Sequence, residues 1–297
     1  DFSELYQRQI LPALKAEGIH ILRLHELSLE HITELNRYVE EILIQHVQPI
    51  LMVKGKIRTF LRNNALYLAV VLETAGQTNR YALVRIPTDQ LPRFVELRSL
   101  VKGERYIILL DDIVRHSLPW LFPGYLVRES YSIKLTRDAE IHIEDEYAGG
   151  SIVEKIKRGL AKRNIGRGTR FVYDRKMTRN CLEFIMENFS LEDRDLHPEG
   201  RYHNNFDFFK FPHFGKNHLK DPQLPPLAHP VLESNKPMLS LIAQNDQMVY
   251  FPYQRYDYVL RFLDQAAADP AVVSIKITQY RVAKESQILS ALWRALQ

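Results

Sequence analysis

One cysteine, Cys181, is the entire thiol content of this 297-residue chain, so no disulfide can form within it. It sits in the apolar pattern Cys181, Leu182, Phe184, Ile185 and reads as a small buried thiol, not a reactive one. No apolar run reaches the roughly 18 residues of a membrane-spanning helix, and nothing resembles a signal peptide. A cytoplasmic protein is the expectation, with peripheral membrane attachment left open. Three catalytic signatures are also missing: the Gly-x-x-x-x-Gly-Lys-Ser/Thr phosphate loop, the protein-kinase catalytic-loop set and the Gly-x-Ser-x-Gly elbow. No charge sign dominates, because 40 Lys and Arg stand against 36 Asp and Glu, for a formal net charge of +4. That mild excess suits an anionic partner and falls short of a dedicated nucleic-acid binder.

What is present is ordinary globular composition, 45% hydrophobic and 26% charged, in a length that favours two domains over one. Residues 3–15 read as a helix kinked near Pro12, followed by a short strand from Ile19 to Leu22. Ser28 is an N-cap candidate for a helix whose Leu29, Ile32, Leu35, Val39, Ile42 and Leu43 recur at three- and four-residue steps until Pro49. The period then becomes two, or continuous: Ala65 to Leu72, a polar turn over 75–79 and Tyr81 to Ile86 predict a hairpin. Tyr106 to Leu110 predicts a strand. Asp111 or Asp112 can cap a helix through Leu121, and Pro123-Gly124 turns the chain into a strand from Tyr125 to Ile143. A helix over 146–163, a strand from Thr169 to Tyr173 and a helix from Thr178 to Asn188 complete a mixed α+β unit.

Between 191 and 250 periodicity fades and prolines recur at 198, 212, 222, 225, 226, 230 and 237. So long a stretch reads as an extended segment between domains, held by Phe206, Phe208, Phe209, Phe211 and Phe214. After it, Val259 to Ala266 marks a helix, Val272 to Ile277 a strand and Ile288 to Leu296 a second helix. Such a strand requires flanking strands that the sequence does not contain. With Asp1 in place of an initiating Met and Gln297 inside a helical pattern, the chain reads as a fragment.

Two clusters carry candidate chemistry. In the strand-to-helix segment Lys276 to Ser286, Arg281 can fork onto two phosphate oxygens and Lys284 adds a point charge, near a helix N-terminus suited to anions. A solvated loop with Ser286 as N-cap is the alternative. The second cluster is the run Lys155, Lys157, Arg158, Lys162, Arg163, Arg167, Arg170, Arg175, Lys176 and Arg179, ten cations opposed within it only by Asp174. It reads as a polyanion-binding patch or as a solvated charged face. His197, His203, His213, His218 and His229 match no zinc spacing. Asp111-Asp112 and Glu144-Asp145-Glu146 could pair as carboxylates, but helix-start charge explains them more simply. No complete catalytic constellation is present.

Several strings resemble the long-form bacterial polyphosphate kinases. Tyr81 to Pro87 with Leu91-Pro92-Arg93-Phe94, Asp111 to His116 through Leu121-Phe122-Pro123-Gly124-Tyr125, and Leu135 to Glu140 are similar to that family's head domain. Tyr250-Phe251-Pro252-Tyr253, Val259 to Leu263, Ala267 to Pro270 and Ile275 to Ser286 are similar to the start of its first carboxy-terminal catalytic domain, which has a phospholipase-D-like fold. The resemblance implies a helical N-terminal remnant over 1–52, a head domain over 53–237 that helps form a homodimer, and an incomplete catalytic domain over 238–297.

It further implies reversible transfer of the terminal phosphate of ATP to polyphosphate, yielding ADP, with Mg2+ and through a phosphohistidine. Arg281 matches a family arginine near the nucleotide phosphates and magnesium, without being a metal ligand. The catalytic histidines are expected downstream of Gln297 and a nucleotide-contacting asparagine upstream of Asp1, so no catalytic residue is assigned and the chain alone is expected to be inactive. A non-catalytic polyanion-binding or dimerisation module is the alternative. Another phospholipase-D-like phosphotransferase or nuclease leaves the head-domain strings unexplained.

Overall fold

The structure, a computed structural model, describes residues 2–53, 61–74, 80–137, 168–283 and 285–296. The predicted polar turn over 75–79 and helix over 146–163 lie outside these residues, as does the end of the predicted strand beyond Arg137. The fold is mixed α/β, and the chain divides into two compact units, Asp1–Gly215 and Lys216–Gln297. No helix among the described residues is long and apolar enough to cross a membrane.

In the first unit, helix α1 (Phe2–Leu5) passes through a π-helical turn, Tyr6–Ile10, into α2 (Leu11–Ala16). Pro12 lacks the N–H that would bond one turn back, and the widened turn just before it absorbs that loss. Strand β1 (Ile19–Leu22) follows. Helix α3 (Leu29–Glu41) begins where expected, with Ser28 Oγ accepting from His31 N at 3.2 Å. It ends at Glu41, and a 3-10 turn over Leu43–Gln45 fills the distance toward Pro49. Its buried stripe also differs from the predicted one. Leu29 is 81% exposed, while His31 is buried with Leu35 and Val39 and bonds the Arg98 carbonyl through Nε2 at 3.0 Å.

The main sheet has the order β2-β4-β3-β7-β8-β9, built from Pro49–Leu51 (β2), Leu66–Glu73 (β3), Arg80–Arg85 (β4), Leu126–Arg137 (β7), Gly168–Asp174 (β8) and Leu196–Glu199 (β9). Neighbours are antiparallel except β8 and β9. Gly124, at φ 81°, makes the turn that admits β7. Strand β3 is buried on both faces, which explains its unbroken apolar run. Leu66, Leu68, Val70 and Leu72 join Leu35 and Val39 of α3 and Ile113, Val114 and Leu118 of α4 (Leu110–Leu121). Tyr67, Ala69 and Val71 pack instead with Cys181, Ile185 and Phe189 of α5 (Arg179–Phe189). Cys181 is buried there, and burial pushes its thiol up to about 12, in keeping with an inert core residue.

A smaller sheet, β1-β6-β5, adds Arg105–Leu109 (β6) and Phe94–Leu97 (β5). Val95, Leu97 and Ile108 face the first core, while Ile19, Phe94, Ile107 and Leu109 face Phe208, Phe211 and Phe214. Of the five phenylalanines expected to hold the aperiodic segment, these three do so. Phe206 and Phe209 are 70% and 86% exposed and touch each other.

Asp111 and Asp112 are not caps: α4 begins at Leu110, and neither side chain bonds its N-terminus. Both are buried in a charge network. Arg93 forks onto Asp111 with Nε and Nη2, each at 3.0 Å, and its Nη1 reaches Asp207 at 2.8 Å and the Asn204 carbonyl at 3.1 Å. Asp112 Oδ1 accepts from Arg115 at 2.9 Å and Arg201 at 3.1 Å, and Oδ2 accepts from the Tyr202 hydroxyl at 2.6 Å. Arg115 also donates to Ser132 Oγ on β7 at 2.5 Å. Three arginines balance three aspartates. The network thereby fastens the segment after β9 to α4, β5 and β7.

The second unit contains α6 (Met238–Gln244) and α7 (Asp257–Ala268), which share a core of Leu232, Met238, Leu241 and Tyr258, and α8 (Gln287–Ala295), which packs on α7. The predicted strand from Val272 to Ile277 is not formed. Among the described residues no strand pairs with it, Val273 is 97% exposed, and an extended chain without ladder partners leaves its amides to water.

Removing one member of a buried charge network leaves the other uncompensated. Asp111→Ala is expected to lower unfolding free energy by about 3–5 kcal/mol. Glu96→Ala, which breaks the exposed pair with Arg105, should leave the urea midpoint nearly unchanged. Equal midpoints for the two variants would remove the network from its anchoring role.

Candidate functional site

Arg281 lies in an irregular stretch of the second unit, five positions before the N-cap of α8. Ser286 Oγ accepts from Leu289 N at 3.3 Å, so the predicted cap forms and opens the helix toward this stretch. The strand expected to lead into it is absent, so Arg281 stands on unpaired backbone and not at a strand's carboxyl end. Its guanidinium lies 5.8 Å from the centroid of the Tyr280 ring, itself 94% exposed, and forms no ion pair with a described residue. A guanidinium in this state keeps its fork of donors available for an anion. Lys284 lies outside the described residues.

In the first unit, Lys155, Lys157, Arg158, Lys162, Arg163 and Arg167 also lie outside the described residues. The remaining members of the basic run do not form one surface. Arg179 is held by Glu183 at 2.7 Å, one helical turn away. Arg175 and Lys176 line a cleft of about 380 Å³ with Arg8, Arg23 and Arg201. There Glu4 takes Arg8 at 2.7 Å, Asp112 takes Arg201 at 3.1 Å, and Asp174 is buried with Oδ1 accepting from Lys176 N. Arg170 lines a different cleft, together with Lys134, and stands 3.7 Å from Glu199.

The other candidates have structural partners. His116 Nε2 bonds Asn36 Oδ1 at 2.7 Å, linking α4 to α3. His229 Nδ1 accepts from the backbone of Val231 and Leu232, both at 3.2 Å, and its Nε2 donates to the Met248 carbonyl at 3.1 Å. That pattern is a neutral imidazole closing a loop. His203 is buried, and its Nε2 donates to the Gly200 carbonyl at 2.8 Å. The Asp111-Asp112 doublet is spent on arginines, and Glu144-Asp145-Glu146 lie outside the described residues. Among the described residues no three His, Cys, Asp or Glu side chains are placed to hold a metal.

Sequence reasoning missed Arg93, Arg115, Arg201 and Tyr202 as partners of that doublet. The available signal was a pair of carboxylates inside the otherwise apolar run from Tyr106 to Val114, with an arginine three residues after Asp112.

The class these features define is a two-unit mixed α/β protein whose clefts and exposed loop present guanidinium and ammonium groups. Comparison with known proteins makes it specific. A family model described as "Polyphosphate kinase middle domain" matches residues 30–211, and one described as "Polyphosphate kinase C-terminal domain 1" matches residues 237–297. The chain is 36% identical to the polyphosphate kinase of Vibrio cholerae over 301 residues, covering 98% of this chain and 42% of the relative. It is also 36% identical to that of Escherichia coli K12 over 303 residues, covering 99% and 44%. The crystal structure of polyphosphate kinase from Porphyromonas gingivalis superposes with a TM-score of 0.75 at 34% identity, covering 99% of this chain and 42% of that one. The chain therefore belongs to the polyphosphate kinase family, and it spans less than half the length of these relatives.

Burial holds the His203 imidazole down at about 4, against an ordinary value of 6.5. Between those values the unfolded chain binds a proton that the folded chain does not. The stabilisation is therefore full above pH 6.5 and lost as pH falls toward 4, by on the order of 3 kcal/mol. Urea unfolding across this window should be steeper in pH for the wild type than for His203→Gln; parallel curves would contradict a buried neutral imidazole.

Proposed function

We propose that this chain is the head domain and the opening of the first catalytic domain of a polyphosphate kinase. The whole protein would transfer the terminal phosphate of ATP reversibly to inorganic polyphosphate, through a phosphohistidine carried outside this chain. The observation that carries the reading is the tandem match of two polyphosphate kinase domain models, in order, over residues 30–211 and 237–297.

In this reading Arg281 is the chain's contribution to the chemistry. Its exposed fork, without an ion-pair partner among the described residues, would take equatorial oxygens of the transferring phosphoryl group and offset the charge that spreads over them. Magnesium belongs to the proposal as the companion of ATP. The described residues do not fit a resident magnesium ion: no carboxylate set is placed to ligate one, and a guanidinium cannot. No step is routed through it here. Homodimerisation through the head domain and a cytoplasmic location, peripheral to the membrane or free, complete the proposal.

One observation favours a second reading, a polyanion-binding module without catalysis. Arg23, Arg175 and Lys176 share a cleft with one buried carboxylate, Asp174, opposing them. Salt-sensitive binding of polyphosphate that depends on Arg23 and Lys176, with no turnover by the full-length protein, would separate that reading from the first.

Two measurements follow. In the full-length polyphosphate kinase, Arg281→Ala is expected to lower kcat by on the order of 10²-fold with an unchanged Tm, and Arg281→Lys to recover part of the loss. Unchanged turnover would remove Arg281 from the site. Multi-angle light scattering of the present chain should return twice the monomer mass, and a strict monomer at high concentration would count against the head domain as the dimer-forming element.

A further inference from the structure

The cleft that Arg170 lines, about 340 Å³, is built around Lys134. Lys134 lies on β7 between Ile133 and Leu135, whose side chains enter the core, so its own lies on the opposite face with Ser132 and Thr136. Across the ladder Thr136 pairs with Arg170 on β8, which places the guanidinium on the same face. Lys134 is half-buried, and burial holds its ammonium below the usual lysine range.

A lysine withdrawn from water this far ordinarily ends on a carboxylate. Lys134 does not. Its Nζ donates to the neutral Asn204 Oδ1 at 2.9 Å, leaving two of its three protons for the cleft. The carboxylates acting on it are engaged elsewhere: Asp207 is bonded to Arg93 at 2.8 Å, and Glu199 faces Arg170 at 3.7 Å. The rest of the lining, Val172 apart, is neutral and polar. Asn64 Oδ1 accepts from Thr136 at 3.0 Å, and His203 is held neutral by burial and adds no charge. Asn204 is fixed twice over, by a left-handed backbone with φ 66° and by its carbonyl, which accepts from Arg93. The amide that steers Lys134 is therefore rigid.

We infer that Lys134, Arg170 and the amides of Asn64 and Asn204 form an oxyanion site on the head domain that binds phosphoryl groups. An ammonium short of a counter-charge beside a guanidinium and neutral donors defines the oxyanion class. The choice of phosphoryl over other oxyanions rests on the proposed function. At this volume, near the lower end of small-molecule clefts of about 300–1,000 Å³, the site suits a short phosphate chain.

Tripolyphosphate is the first probe, added to the present chain carrying 15N-labelled asparagine and followed by NMR, with calorimetry for the affinity. The Asn204 side-chain signal should shift on addition. Lys134→Met should weaken binding roughly tenfold or more. Asn204→Asp, tolerated at this backbone conformation, gives Lys134 its missing carboxylate and should both raise Tm and remove binding. The two variants alter different groups, one the ammonium and one the amide, so either suffices if the other does not express. Arg281→Gln should leave the Asn204 shift intact.

Orthophosphate binding as tightly as tripolyphosphate marks a single-group site, and tighter tripolyphosphate marks a chain-binding one; either supports the inference. Sulfate binding more tightly than orthophosphate overturns the phosphoryl assignment. An unmoved Asn204 signal, or affinity unaffected by both variants, overturns the site and leaves the proposed function standing. Conversely, full turnover of Arg281→Ala in the whole enzyme with the Lys134 effect intact would sink only that role for Arg281.

Discussion

The fork between Arg93 and Asp111, closed off from water, is the constraint on which the first unit depends. Neither charge could be buried alone, since each would forfeit hydration that no apolar neighbour replaces. Together they meet through two parallel bonds, and Arg93 spends its remaining donors on Asp207 and the Asn204 carbonyl. Asp112 repeats the arrangement with Arg115, Arg201 and Tyr202. Because these groups come from the residue leading into β5, from α4, from β7 and from the segment after β9, satisfying them requires all four to be in place at once. An aperiodic segment with no ladder of its own thus acquires a defined path.

The same network sorts the charges of the molecule into those used for structure and those left for ligands. Arg93, Arg115, Arg201 and their aspartates are matched and buried, and the site chemistry first considered for the aspartate doublet has no access to them. Lys134, Arg170 and Arg281 differ in being left with neutral, loose or aromatic neighbours. The link between the two groups is Asn204. Its backbone belongs to the Arg93 network and its side chain to Lys134, so folding energy in one holds the geometry of the other.

Local elements were legible where one physical signal controlled them. The period-two and continuous runs of β3 and β4, the Pro12 interruption, the Ser28 and Ser286 caps and the buried Cys181 all follow from hydrophobic pattern or a single side chain. The misses have a common cause. Leu29 has the right spacing for the α3 stripe yet is exposed, because His31 takes the buried position to reach the Arg98 carbonyl across 67 residues. Val272 to Ile277 has a strand's composition but finds no pairing strand among the described residues. Strands β2, β5 and β9 are only three or four residues long, and their pairing defines them more than their composition does.

By itself, the sequence determined the mixed α/β class and the family resemblance through its head-domain and catalytic-domain strings, and it singled out Arg281 as the candidate phosphate contact. Those properties reside in contiguous residues, where order along the chain is the whole of the information. Tertiary structure alone decided that Asp111 and Asp112 are anchors and not caps, that the described members Arg170 and Arg175 of the basic run line separate clefts, and that no described carboxylate bonds Lys134. Each of these depends on which distant side chain stands opposite. In a low-dielectric interior that opposite partner, and not the residue's own type, decides whether a charge is bound up or left open.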